Sequence, residues 1–111
     1  MSTFLPQDAN NYPIPALRLK NGAAHAISAT ATSARNSTAF DGDTRIISLY
    51  ATSPVFVKFG DSSVTATTSD HYFPAGVYYD LSIGGDTTAQ YGYVAVLAAD
   101  TDGTVYVSEK E

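Results

Sequence analysis

Alternation with a period of two constrains this chain more than any other feature. Over residues 55–59, Val55, Val57 and Phe59 fall on one side of an extended backbone and Phe56 and Lys58 on the other, the pattern a pleated strand imposes. Val57 is therefore expected in the core. Val77, Tyr79, Leu81 and Ile83 alternate in the same way with Tyr78, Asp80 and Ser82, and Val105 and Val107 alternate with Thr104, Tyr106 and Ser108. Helical periodicity is absent, and clusters of Gly, Asp, Asn and Ser separate the apolar runs at regular intervals, as in sandwiches and small barrels.

The expected strands cover residues 16–20, 26–30, 44–51, 55–59, 76–82, 92–98 and 104–108, with a weaker one at 34–37. Residues 93–98 are apolar on both faces, which predicts a central strand or one covered by a neighbouring molecule. The fold class that follows is all-β: an antiparallel β-sandwich, jelly-roll-like or Ig-like, of about seven or eight strands. Residues 1–15 carry Pro6, Pro13 and Pro15, which restrict φ and remove amide donors. They read as an extended N-terminal arm on a single domain spanning 16–111. Residues 60–70 read as a Ser/Thr-rich loop, and Asp100-Thr101-Asp102-Gly103 as a turn with Gly103 free to take positive φ.

With 111 residues the chain suits one core. No run approaches the roughly 18 apolar residues that span a membrane, and the first residues lack the basic start and apolar stretch of a secretory signal. The absence of cysteine removes disulfides and thiolate chemistry, so packing and hydrogen bonds must hold the fold. A net charge of -5 with scattered basic residues argues against gripping nucleic acid.

Chemistry-bearing motifs are sparse. Gly60-Asp61-Ser62 at the end of a strand resembles the nucleophile block of GDS(L)-type esterases. That family places the block early in a much larger α/β domain and takes its base from a C-terminal Asp-x-x-His, which this chain lacks. A serine without a positioned base is a weak nucleophile, and His71, beside Asp70, is a poor substitute because adjacent strand side chains face opposite ways. No catalytic residue is expected. Asp41/Asp43 and Asp100/Asp102 offer oxygen ligands but not the spacing of a calcium loop, His25 and His71 are too few for zinc, and neither a metal nor a cofactor is expected. Asn36-Ser37-Thr38 matches a glycosylation pattern that needs a secretory route, and Gly84-Gly85-Asp86 reads as a turn.

Eight tyrosines and five phenylalanines are more telling, since tyrosine buries area at low entropic cost while keeping a polar tip. The candidate interface residues are Tyr72, Tyr78, Tyr93 and Tyr106 on the sandwich, with Phe4, Leu5, Tyr12 and Ile14 as apolar anchors of the arm.

The arm, the Ala/Ser/Thr-rich strands and the blocks Val55-Phe56-Val57-Lys58-Phe59-Gly60-Asp61 and His71-Tyr72-Phe73-Pro74-Ala75-Gly76-Val77 together resemble small tailed-phage virion proteins of β-sandwich type: capsid decoration (cement) proteins, head fibres and gene-transfer-agent structural proteins. The resemblance spans roughly residues 44–109. It implies a non-enzymatic virion protein, made in the host cytoplasm and carried on the capsid surface. Such a protein binds the major capsid protein or other virion subunits, as a homo-oligomer with a trimer first among the forms. A tail or head-fibre attachment module and a glycan-binding sandwich are the alternatives.

Overall fold

The period of two carries directly into the fold. The computed structural model describes residues 9–11, 17–85 and 87–111, which form eight strands and no helix: β1 (Leu19–Ala29), β2 (Ala34–Arg35), β3 (Ile46–Ala51), β4 (Val55–Gly60), β5 (His71–Phe73), β6 (Tyr78–Ser82), β7 (Tyr93–Ala98) and β8 (Gly103–Lys110). One antiparallel sheet has the order β1-β8-β3-β6 and the other β2-β7-β4-β5. First pairs with last, second with seventh, third with sixth and fourth with fifth, so the chain is a jelly roll, a long antiparallel ribbon wrapped into two sheets.

Ile27, Ala29, Ile47, Leu49, Ala51, Val105 and Val107 of one sheet meet Val55, Val57, Val94 and Val96 of the other, all buried. Each large aliphatic side chain contributes roughly 1.5–3 kcal/mol on leaving water. Val57 is in the core as expected, with Phe56 half-buried and Lys58 exposed on the opposite face. Residues 93–98 form a central strand, hydrogen-bonded between β2 and β4.

Several expectations change. Residues 16–20 and 26–30 were expected as two strands, but residues 19–29 form one, because a bulge and not a turn separates its halves: the register passes from Leu19↔Lys110 to Ala24↔Ser108. Four residues of β1 thus oppose Glu109 alone. The weak strand at 34–37 shortens to Ala34–Arg35, since Asn36 turns its side chain inward to hydrogen-bond main-chain groups. His71–Phe73, expected within a loop and turn, pairs with β4 as β5. Val77 is exposed, not inward, because β6 begins only at Tyr78. Gly103 does not take positive φ. Glycine is needed there for close approach, since a Cβ would lie 2.7 Å from Ser53 Oγ and 2.8 Å from Thr52 Oγ1.

The short connections β1–β2, β3–β4, β5–β6 and β7–β8 share one end of the sandwich, where the amides of Thr52, Gly76 and Ala98 donate to Thr104, Ala51 and Thr30 carbonyls. The long connections share the other end, from which the chain leading into β1 departs. Phe4, Leu5, Tyr12 and Ile14 lie outside the described residues.

Candidate binding surface

The outer face of the β1-β8-β3-β6 sheet carries a row of aromatic rings assembled by register alone. Ala26 pairs with Tyr106, Tyr106 with Tyr50, and Tyr50 with Tyr78. Paired residues point to the same side, and the inward positions are taken by Ile27, Val105, Val107, Leu49 and Tyr79, so the three tyrosines stand side by side on the solvent face. Adjacent strands are about 4.8 Å apart, and the Tyr50 and Tyr78 rings meet at 4.8 Å between centroids. Tyr78 is 72% and Tyr106 49% exposed. None of the three phenol oxygens has a hydrogen-bond partner among the described residues.

The next row on this face is small or polar: Ala24, Ser108, Ser48 and Asp80. Lys110 Nζ reaches across β3 to Asp80 at 2.7 Å, and Ser48, in register with Asp80, is buried. The tyrosines therefore rise beside a low floor bordered by a neutralised ion pair. A flat shelf of rings with free hydroxyls has the anatomy of a recognition surface.

Tyr72 and Tyr93 are not part of it. Tyr72 lies on the outer face of the other sheet, edge-on to Phe56 at 5.8 Å. Tyr93 is half-buried beneath the 61–70 segment, with the Arg35 guanidinium 6.0 Å from its ring centre. Tyr50 was not among the expected interface residues. Its local signal was present, since inward Ile47, Leu49 and Ala51 leave Tyr50 outward, but its alignment with residues 28 and 56 positions away was not.

The loop at 60–70 is more than a polar connection. Val64 and Ala66 are buried against Ala95, Tyr93 and Leu97, and the Ala66 amide donates to Ser33 Oγ at 2.8 Å. It covers the outer face of β7 from within the chain. Asp61 accepts from the Ser63 amide and hydroxyl at 2.9 and 2.7 Å, and these bonds, the hydroxyl first, hold its carboxyl below its ordinary value. Asp70 accepts from the Thr67 amide at 2.7 Å. Both carboxylates of the loop are thus engaged in shaping it.

Two recesses open beside the sheets. An apolar groove of about 410 Å³ lies between edge strands β5 and β6, lined by Val57, Phe59, His71, Phe73 and Leu81. His71 faces inward there, in register with Val57. A polar cavity of about 260 Å³ lies at the β1 bulge, with His25 and Glu109 in its wall. Glu109 is buried, and its carboxylate takes the Asp41 amide at 2.9 Å, the Thr44 hydroxyl at 2.6 Å and His25 Nε2 at 2.8 Å. Period two already marks position 109 as inward after 105 and 107, and the cost of burying a charge explains why both its oxygens are hydrogen-bonded.

Asp41 and Asp43 hold a lysine: Lys20 Nζ lies 2.8 and 2.7 Å from their carboxylates. Hydrogen bonding to Asp41 and then Asp43 raises the lysine, while Lys20 draws Asp43 down to about 2. Among the described residues no cluster of three or more acidic or histidine side chains is arranged to hold a metal ion. Asn36 is buried, its Nδ2 donating to the Thr38 carbonyl at 2.7 Å and its Oδ1 accepting from the Val94 amide at 2.9 Å, so the amide of the glycosylation pattern is consumed by the fold. No protein-family model, curated protein or solved structure matches the chain.

Proposed function

We propose that this protein is a non-enzymatic virion structural module. It docks on assembled capsid subunits as a decoration or cement protein and stabilises them through the contacts it makes. The observation that carries this reading is the Tyr106–Tyr50–Tyr78 row: pre-aligned rings on a rigid sheet lose little entropy on contact, and aromatic anchors of this kind dominate interface energies. Jelly-roll sandwiches recur in viral capsid and lectin domains, an analogy of fold that supports the reading without carrying it. Homo-oligomerisation, a trimer above all, belongs to the same proposal, because one row of three rings covers only part of the roughly 800 Å² per partner of a standard interface.

The test is co-sedimentation of the protein with capsids of the phage whose genes flank its own. A Tyr50→Ala/Tyr78→Ala/Tyr106→Ala variant should keep its fold and lose the particles. Retained binding by a folded triple variant would overturn the role of the row.

A glycan-binding reading is favoured by the three unpartnered phenol hydroxyls beside Asp80, since a sugar offers both an apolar ring face and hydroxyls. Binding on a broad glycan array that the same variant abolishes would replace the capsid proposal.

A further inference from the structure

The bulge in β1 places an Asn-Gly pair where the ladder lapses. Residues 20–23 have no register partner on β8, and both Asn21 and Gly22 are exposed. Gly22 adopts φ +78°, and nothing lies within 4 Å of where its Cβ would be. Among the described residues the Asn21 side chain has no hydrogen-bond partner, in contrast to Asn36, which is buried and bonded at both amide atoms. The two asparagines line the same 260 Å³ cavity and differ in everything that governs intramolecular attack on a side-chain amide.

We propose that Asn21-Gly22 is a site of spontaneous deamidation, with water as the only co-reactant. The Gly22 main-chain nitrogen, its proton given up to hydroxide, attacks Cγ of Asn21. The N–Cγ bond forms, the Cγ–Nδ2 bond breaks, and Nδ2 takes a proton from water and leaves as ammonia. Water then opens the resulting five-membered imide at either carbonyl, giving aspartate or isoaspartate. Glycine removes the steric barrier to the attack, and the unpaired bulge leaves the main chain free to bend toward the side chain. The product carries a new carboxylate at the mouth of a cavity already walled by Asp41 and Glu109. In the isoaspartate form it also lengthens the main chain at the one place in β1 where four residues oppose a single residue.

The experiment incubates the full-length native protein in mildly alkaline buffer and follows Asn21 and Asn36 by peptide mass mapping with a fragmentation that distinguishes isoaspartate. Asn21 should convert at least about tenfold faster than Asn36, a difference of about 1.4 kcal/mol in barrier, and faster as pH rises. Alanine is strained at φ +78°, so Gly22→Ala is paired with Asn21→Gln, which keeps the bulge glycine and should abolish the conversion. Equal rates at the two asparagines, or an Asn21 that reacts only after denaturation, would overturn the proposal.

Discussion

The two outer sheet faces of this sandwich are treated in opposite ways. On the β2-β7-β4-β5 sheet the chain folds its own 61–70 segment over Ala95, sealing Val64 and Ala66 beneath it. On the β1-β8-β3-β6 sheet Tyr78 and Tyr106 stay exposed on the outer face, and that is where Tyr50, Tyr78 and Tyr106 line up. Apolar strand faces need cover, and here one is supplied within the chain and one is left to solvent or a partner. The difference teaches that residues of one type, such as Tyr93 and Tyr106, take up unlike roles according to what the loops do above them.

The comparison is broken most severely by a charge. Ala95→Asp forces a carboxylate under the covering segment, and although Arg35 and Lys58 are its cross-strand neighbours, the displaced Val64 and Ala66 should make it cost about 2–3 kcal/mol, whereas Ala26→Asp, beside Tyr106 on the open face, should stay within about 0.5 kcal/mol. Urea denaturation of the two variants measures the contrast directly, and similar midpoints would show that the faces are not differently covered.

Val64→Ala should have the next largest effect. Val64 packs so closely that a Cβ on Gly60 would lie 2.9 Å from its Cγ2, and truncation should cost about 1–2 kcal/mol. It should also speed hydrogen exchange at the Ala66 amide while leaving core amides protected, and protection of Ala66 unchanged from wild type would count against the segment as a clamp.

Tyr78→Ala and Tyr72→Ala sharpen the comparison at the level of binding. Each should change stability by under about 1 kcal/mol, because each ring is more than half exposed. Under the capsid proposal only Tyr78→Ala weakens particle binding in co-sedimentation.

The smallest effect is electrostatic and belongs to the lysine clamp at the start of β1. Lys20 holds Asp43 at about 2, below its ordinary 3.8. The carboxyl is depressed in the folded state, so the stability it lends is present above pH 3.8 and fades as pH falls toward about 2. Lys20→Met should raise Asp43 toward the usual carboxylate range, because Lys20 is the largest cause of its depression, and an NMR titration of its side-chain carboxyl reads this out.

Much of this was legible before any coordinates. Inward Val55 and Val57 and the outward Tyr78 and Tyr106 follow from period two, because a pleated backbone forces neighbouring side chains apart whatever surrounds it, and the central position of residues 93–98 follows from their being apolar on both faces. A bulge defeats that logic, which is why residues 19–29 were divided: four residues opposing one leave the local pattern looking like a turn. β5 escaped for a related reason, since three residues are too few to display a period. The reason for glycine at 103 is not local, because the Thr52 and Ser53 side chains that require its small size come from a connection half the chain away.

Local alternation thus established the strand class and the side on which most strand residues stand, since those depend only on backbone stereochemistry and the cost of leaving apolar groups in water. The tyrosine row, the covering of Ala95 and the service of Glu109 by Asp41, Thr44 and His25 depend on register and loop path between segments up to 84 residues apart. No window of sequence contains both halves of such a contact, so they came into being only when the ribbon closed.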